Sequence, residues 1–290
     1  MNECITLDKV SFDLKEIHNF DWLTAIGEVF AVFDEQDSGN ICFGIEQDGV
    51  KRFVKYAGAR TKEYSGLPED AVTRLRDSIA TYENLQHKHL VKLIDYFEVE
   101  QGYALVFDWF DGECLHSPWS FPPPDKYSHP DSPYFRFKQL PVKQRLAAFQ
   151  NILAFHVFVE KQQYVAVDFY DGSILYDFEN NVTKICDIDL YKQKPFTNNM
   201  GRLWGSSRFM SPEEFEMGAA IDERTNVFNM GAVAFGLLGG EQNRSLSKWE
   251  ASQELYDVAW KAVNPARAER YTTVEELYNA WQLTSASRND

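Results

Sequence analysis

The chain has 290 residues, 44% hydrophobic, 25% charged and 15% aromatic, enough apolar material for one large domain or two joined lobes. A formal charge of −15 argues against a protein that coats nucleic acid or an anionic membrane, and no stretch approaches the eighteen apolar residues of a membrane span. Cys4, Cys42, Cys114 and Cys186 are scattered without paired spacing, which argues against structural zinc and a disulfide framework.

The first twenty residues lack the basic start and apolar run of a signal peptide, and the scattered cysteines fit a reducing cytoplasm. Val29–Phe33 and Ile41–Glu46 are β-prone, and Gln47-Asp48-Gly49 is a hairpin turn leading into a strand over Lys51–Tyr56. Pro68-Glu69-Asp70 marks the start of a helix to about Asn84. Strands over Leu90–Val99 and Gly102–Trp109 complete a unit of five strands and one main helix. Residues 112–141 hold many prolines and neither period, which predicts an irregular surface excursion whose aromatics pack it onto the body.

Beyond Pro141 the pattern turns helical. Val142, Leu146, Phe149, Leu153 and His156/Val157 recur at helical spacing, with His156 expected as a core histidine. Short strands are predicted at Ile174–Tyr176 and Thr183–Cys186, then helices near Val227–Leu238, Trp249–Ala262 and Val274–Leu283. The expectation is an α+β fold with a β-rich lobe over 1–108 and, from 109 to 290, a link, the insert and a helical lobe.

Three segments of the second half come in an ordered series: Val165-Ala-Val-Asp168-Phe-Tyr-Asp-Gly-Ser173, Lys184-Ile-Cys-Asp187-Ile-Asp189, and Gly205-Ser-Ser-Arg-Phe-Met-Ser-Pro-Glu213. They resemble the catalytic loop, the metal-binding motif and the end of the activation segment of eukaryotic-type Ser/Thr protein kinases. The resemblance extends over roughly residues 25–282, from the strand-four entry at His87 to a late arginine segment at Asn264–Tyr271. It implies a bilobal protein-kinase-like fold, ATP and Mg²⁺ as cofactors, and a protein substrate or binding partner.

Carried over position by position, the resemblance makes Asp168 the catalytic acid, Asp187 the main magnesium ligand and Lys55 the phosphate lysine. Ser173 stands where the family has a metal-binding asparagine, and Asp189 offers an additional carboxylate. Gly39 and Gly44 match the outer glycines of a phosphate loop with Ile41 in the middle. Phe107, Asp108, Phe110 and Leu175 are the implied nucleotide contacts, and Glu213 with Arg270 a buried structural ion pair.

Several positions depart from the pattern. Ala166 and Val167 replace a His-Arg pair, Tyr170 a lysine, and Asn226 an aspartate that holds the catalytic loop. Ser78 occupies the position of the glutamate that pairs with the lysine, with Asp77 adjacent, and Phe53 is bulkier than the usual alanine. Two other readings therefore stand beside a Ser/Thr kinase. One is a pseudokinase that binds partners, with Ser117–Phe137 as a docking surface; the other is a small-molecule phosphotransferase of the aminoglycoside or choline kinase type, against which the full activation segment stands.

Overall fold

Asp48 and Gly49 both take positive φ (53° and 75°), the conformation that folds two strands back tightly. They join β4 (Asn40–Gln47) to β5 (Val50–Ala57), with Gln47 opposite Val50. The computed structural model describes residues 3–116 and 119–286. Contacts group them into two units, Met1–Gln86 with Val91–Asp111 and His87–Leu90 with Gly112–Asp290, each taken over its described residues. The second unit takes His87–Leu90 because the Ile185 N–H donates to the His89 carbonyl at 2.6 Å and Leu90 bridges to Ile185.

The first unit opens with a hairpin that sequence reading did not anticipate, β1 (Glu3–Leu7) and β2 (Val10–Leu14), followed by the short α1 (Asp21–Thr24). Next come β3 (Glu28–Phe33), β4 and β5. The expected helix runs as α2 (Pro68–Asp77) and α3 (Ile79–Asn84), with Ser78 between them still helical. The strands β6 (Leu93–Val99) and β7 (Gly102–Asp108) finish an antiparallel sheet of order β3-β4-β5-β7-β6. Phe43, Ile45, Val54, Tyr56, Ala104 and Val106 pack with Phe12, Leu14, Phe20 and Leu23 of the N-terminal segment. The hairpin is therefore part of the core, and burial of those rings is what holds it.

The second unit begins with β8 (Glu113–Cys114). The expectation of an irregular excursion over 112–141 is corrected: it contains α4 (Asp125–Ser128) and α5 (Pro133–Gln139). Ser132 caps α5, accepting from the Phe135 N–H, and Pro133 sits in its first turn, where a missing N–H costs nothing. Lys126, Tyr134 and Phe137 are buried, while Trp119 and Tyr127 stay exposed. Residues 117–118, part of the proposed docking stretch, lie outside the described residues.

The long helix α6 (Val142–Lys161) follows as expected. Its most buried stripe is Ala148, Phe149, Ile152, Leu153, Phe155, His156 and Val159, leaving Val142, Leu146 and Val157 half-buried. Beyond it lie β9 (Tyr164–Val165), β10 (Ile174–Asp177), β11 (Val182–Ile185), β12 (Lys192–Gln193), β13 (Phe196–Thr197) and β14 (Ala220–Ile221). Three helices close the unit: α7 (Glu223–Leu238), α8 (Gln253–Ala262) and α9 (Val274–Ala286). A sheet-rich first unit and a helical second one are the α+β, two-lobed kinase-like architecture the sequence implied. No helix among the described residues is long and apolar enough to cross a membrane.

Candidate active site

The residues assigned from the sequence are divided between the two units. In the first, Lys55 lies on β5 between Cys42 of β4 and Leu105 of β7 and is only 7% exposed. Phe53, two residues earlier on the same face, pairs with Phe107, and their rings are 6.3 Å apart. Phe33 lies 5.7 Å from Phe53, and Tyr82 of α3 lies 5.0 Å from Phe107. Phe33, Phe53 and Phe107 thus form an aromatic cluster on the lysine's face of the sheet, with Tyr82 packed on it. Asp108 ends β7 with its N–H donating to the Lys92 carbonyl, and Phe110 is half-buried just beyond it.

The two glycines have different surroundings. Gly39 has φ +81° at the end of the turn between β3 and β4, with the Tyr64 ring and the Ala71 methyl where a side chain would go. Gly44 is not in that turn at all. It lies within β4, and a Cβ there would stand 2.7 Å from Phe30 and 2.9 Å from Trp109. The phosphate-loop expectation for Gly44 is accordingly corrected: the missing side chain makes room for two packed rings. Ser78 is buried, and its hydroxyl donates to the Leu75 carbonyl of its own helix at 2.7 Å, while Asp77 is exposed.

In the second unit, Asn226 of α7 holds the loop after β9. Its Oδ1 accepts from the Ala166 N–H at 2.8 Å and its Nδ2 donates to the Tyr164 carbonyl at 3.3 Å. Asp168 follows with φ +66°, and Asp187 has φ +55°. Such backbone is costly for a residue with a side chain and persists where its surroundings impose it. The surroundings are visible. Phe169 packs on His156 with ring centroids 4.3 Å apart, and the Cys186 N–H donates to the Ser173 carbonyl at 3.0 Å, drawing the Asp187 segment to the loop.

His156 is the expected core histidine. The Ile152 carbonyl 2.8 Å away can only accept, so Nδ1 carries the proton and Nε2 accepts from the Tyr191 hydroxyl at 2.9 Å. Burial pushes its pKa down to about 4. Tyr170 and Tyr191 are raised above the usual phenol range, by burial first and then by Asp168 and Asp187 together. Both carboxylates therefore act on the same two tyrosines, so the catalytic acid and the metal ligand assigned from sequence share one neighbourhood.

Asp187 is exposed and Asp189 half-buried, with the fully buried Ile188 between them as an apolar anchor. Leu175 is half-buried on β10, opposite Cys114 of β8. The Ser173 hydroxyl is buried without a hydrogen-bond partner, a cost that a ligand would remove. Among the described residues no three His, Cys, Asp or Glu side chains converge to hold a metal alone. Asp187 and Asp189 are the carboxylates that would hold a magnesium ion, which binds proteins through one or two such groups plus the phosphates it accompanies.

Gly205 has φ +136°, and a Cβ there would stand 3.6 Å from the Asp168 Cα and 3.3 Å from Met210. The positive φ favours glycine here, and the segment carrying Gly205 and Ser206 runs within van der Waals reach of the Asp168 backbone. The Glu213–Arg270 pair is buried and doubly bonded, Nη1 to Oε1 at 2.7 Å and Nη2 to Oε2 at 3.0 Å. Burial raises the Glu213 carboxyl, yet Arg270 and the Thr225 hydroxyl hold it below the usual range.

Sequence reading missed Asp171, three residues after Asp168. It is 1% exposed and meets two cations, Lys126 at 2.6 Å and Arg208 at 2.9 Å. Burial raises its pKa, but the two cations outweigh that and hold it low. A second aspartate in a loop without any cation was the available signal; its partners, 45 and 37 residues away, were not readable.

Comparison with known proteins agrees with this geometry. The family model described as the protein kinase domain matches residues 49–282. Among curated relatives in Arabidopsis thaliana, a G-type lectin S-receptor-like serine/threonine-protein kinase is 25% identical over 77% of this chain and 24% of its own length. The receptor-like protein kinase THESEUS 1 is 26% identical over 84% of this chain and 24% of its own. The receptor-like protein kinase ANXUR2 is 28% identical over 83% and 26%. The chain spans about a quarter of the length of these relatives. With its motifs in order and the family match over most of its length, the chain belongs to the protein kinase domain family.

Proposed function

We propose that this chain is an ATP- and Mg²⁺-dependent phosphotransferase acting on serine or threonine hydroxyls of proteins. The observation that carries this reading is the pair Asp168 and Asp187, both in left-handed backbone and on segments joined by the Cys186 N–H donating to the Ser173 carbonyl. ATP would supply the phosphoryl group, and magnesium would neutralise charge on its phosphates. Lys55 is assigned to the phosphates, and Asp187 with Ser173, helped by Asp189, to the metal. Asp168 takes the proton from the attacking hydroxyl at a carboxylate oxygen as the phosphoryl group leaves ADP. Gly205 and Ser206 lay the acceptor chain beside Asp168. The serine/threonine assignment draws on the relatives' names, and four free thiols support a reducing, cytoplasmic setting.

A second reading is a partner-binding pseudokinase, which the bonding of Ser78 to its own helix and the packing role of Gly44 favour. A thermal-shift titration with ATP, with and without Mg²⁺, followed by transfer to casein, separates the two. The enzyme reading expects a Mg²⁺-dependent rise in melting temperature, lost in Asp187→Asn, together with label on the acceptor. No shift at millimolar ATP and no transfer would leave the pseudokinase.

A further inference from the structure

Four charged side chains to which no part of the chemistry is assigned meet in the second unit. Lys126 Nζ donates to Asp171 Oδ2 and to Glu241 Oε1, both at 2.6 Å. Arg208 donates from Nη1 to Asp171 Oδ2 at 2.9 Å and to Glu241 Oε1 at 2.6 Å, and from Nη2 to Asp171 Oδ1 at 2.9 Å. The Tyr127 hydroxyl takes the remaining Glu241 oxygen at 2.8 Å. Lys126 is 1% exposed, with its ammonium 4.1 Å from the centre of the Tyr134 ring. Two cations and two carboxylates make the cluster neutral, and every carboxylate oxygen has a donor.

The cluster's members come from four separate stretches. Lys126 belongs to α4 of the insert, and Asp171 to the turn three residues after Asp168. Arg208 lies three residues after Gly205, and Glu241 just beyond α7, with φ +60°. The insert has other anchors besides the cluster. The Tyr134 hydroxyl donates to the Gly236 carbonyl at 2.7 Å and the Phe137 ring packs 5.0 Å from Tyr176, while inside the insert the Ser132 hydroxyl donates to the Lys126 carbonyl at 2.7 Å. A buried ion cluster is a weak source of stability, because apolar residues of like volume do as well; what it adds is geometric specificity. Here that specificity joins the loop of Asp168 to the segment of Gly205.

We propose that Lys126 is a positioning residue through which the insert holds the catalytic loop and the substrate-side segment in their working arrangement without phosphorylation. This rests on the phosphotransferase reading above and concerns the regulation of the same site. Lys126 itself touches no substrate, since it is enclosed and its bonds are committed to two carboxylates. Residues 164–173 contain no cation, so a phosphate on Thr197, Ser206 or Ser207 would find no partner on that loop. Arg208 is already bound by Asp171 and Glu241. The insert supplies the charge that a phosphate would otherwise have to recruit.

The test uses the full chain, its Lys126→Met variant, and Tyr134→Phe as a comparator that loosens the insert while leaving the charges in place. Amide hydrogen exchange in Lys126→Met should quicken at least tenfold over both 164–174 and 203–211, with the first unit's sheet and α9 unchanged. Tyr134→Phe should quicken exchange only within the insert. Faster exchange confined to 121–137 in Lys126→Met would overturn the proposal. If that variant fails to fold, Glu241→Gln keeps the side-chain shape and is read on the same two segments with the same criteria.

Transfer from ATP to casein gives the second readout. Lys126→Met should lower kcat ten- to a hundredfold with the KM for ATP unchanged, and phosphatase treatment should leave the parent's rate intact. A parent that loses its rate on dephosphorylation, or a Lys126→Met variant with the parent's kcat, would refute the positioning role of Lys126. A parent that transfers nothing defeats the phosphotransferase reading alone, and the exchange data then decide the positioning role by themselves.

Discussion

The loop around Asp168 and the sheet around Lys55 carry the two halves of one assigned chemistry, and they are built differently. The loop is held from all sides: Asn226 binds its entry, His156 backs Phe169, and Asp171 is locked by Lys126 and Arg208. The first unit has its lysine on a sheet face that also carries the packed rings of Phe33, Phe53 and Phe107, with Tyr82 against them, uses Gly44 for ring packing, and turns Ser78 onto its own helix. Phosphoryl transfer tolerates little movement of the acid or the metal ligand, because its catalysis is positioning and electrostatics. Gripping a nucleotide can be done with many surfaces. The contrast teaches that the loop proposed for the acid and the metal is braced by hydrogen bonds and ion pairs, whereas the sheet proposed for the nucleotide is braced by aromatic packing.

The largest expected effect would break this comparison if it failed to appear. Asp168→Asn removes the proton acceptor without changing the side chain's shape, and should lower kcat by roughly 10²–10⁴ while the ATP-induced thermal shift persists. A variant as fast as the parent would mean that the braced loop does no chemistry. Asn226→Asp comes next. It restores the residue usual in the family, yet here it would set a carboxylate against the Tyr164 carbonyl in place of a donating amide. The expected loss is about 1–3 kcal/mol in denaturant unfolding, and a gain in stability would show that the loop's support is interchangeable.

Gly44→Ala sharpens the other side. The added methyl must displace Phe30 or Trp109, which should cost about 1–2 kcal/mol without weakening the response to ATP. A weakened ATP response at unchanged stability would return Gly44 to the phosphate site. The smallest effect concerns pH. Burial raises the Glu214 carboxyl to about 7, although Ser211 and Asn229 donate to it. A folded pKa above the unfolded one adds stability at low pH that is lost as pH rises through about 7. Between pH 6 and 8 the parent should lose roughly 1 kcal/mol that Glu214→Gln does not, a difference of about 2–4 °C in Tm. Glu160, also raised to about 7, contributes the same slope to both proteins, so only the difference between them is informative.

Local chemistry accounts for what could be read in advance. Asp48-Gly49 named its hairpin because few residue pairs accept positive φ twice, and Pro68 named a helix start because only a first turn tolerates it. The order of the motifs around Asp168, Asp187 and Glu213 carried the fold class and the pairing with Arg270. The β1–β2 hairpin was not legible, since its turn at Asp8-Lys9 has no glycine and its strands are short. In α5 the signal was present, Ser132 before Pro133, but the many prolines around it pointed to irregular chain.

What the sequence determined by itself was therefore the set of elements whose residues allow few alternatives, and the identity of the chemical groups on them. The tertiary structure alone decided which charges are buried and with whom. Lys126 looks like any solvated lysine until Asp171, 45 residues away, and Glu241, 115 away, close around it. A buried charge is stable only when its counter-charges are already in place, and their placement belongs to the whole second unit rather than to any local stretch.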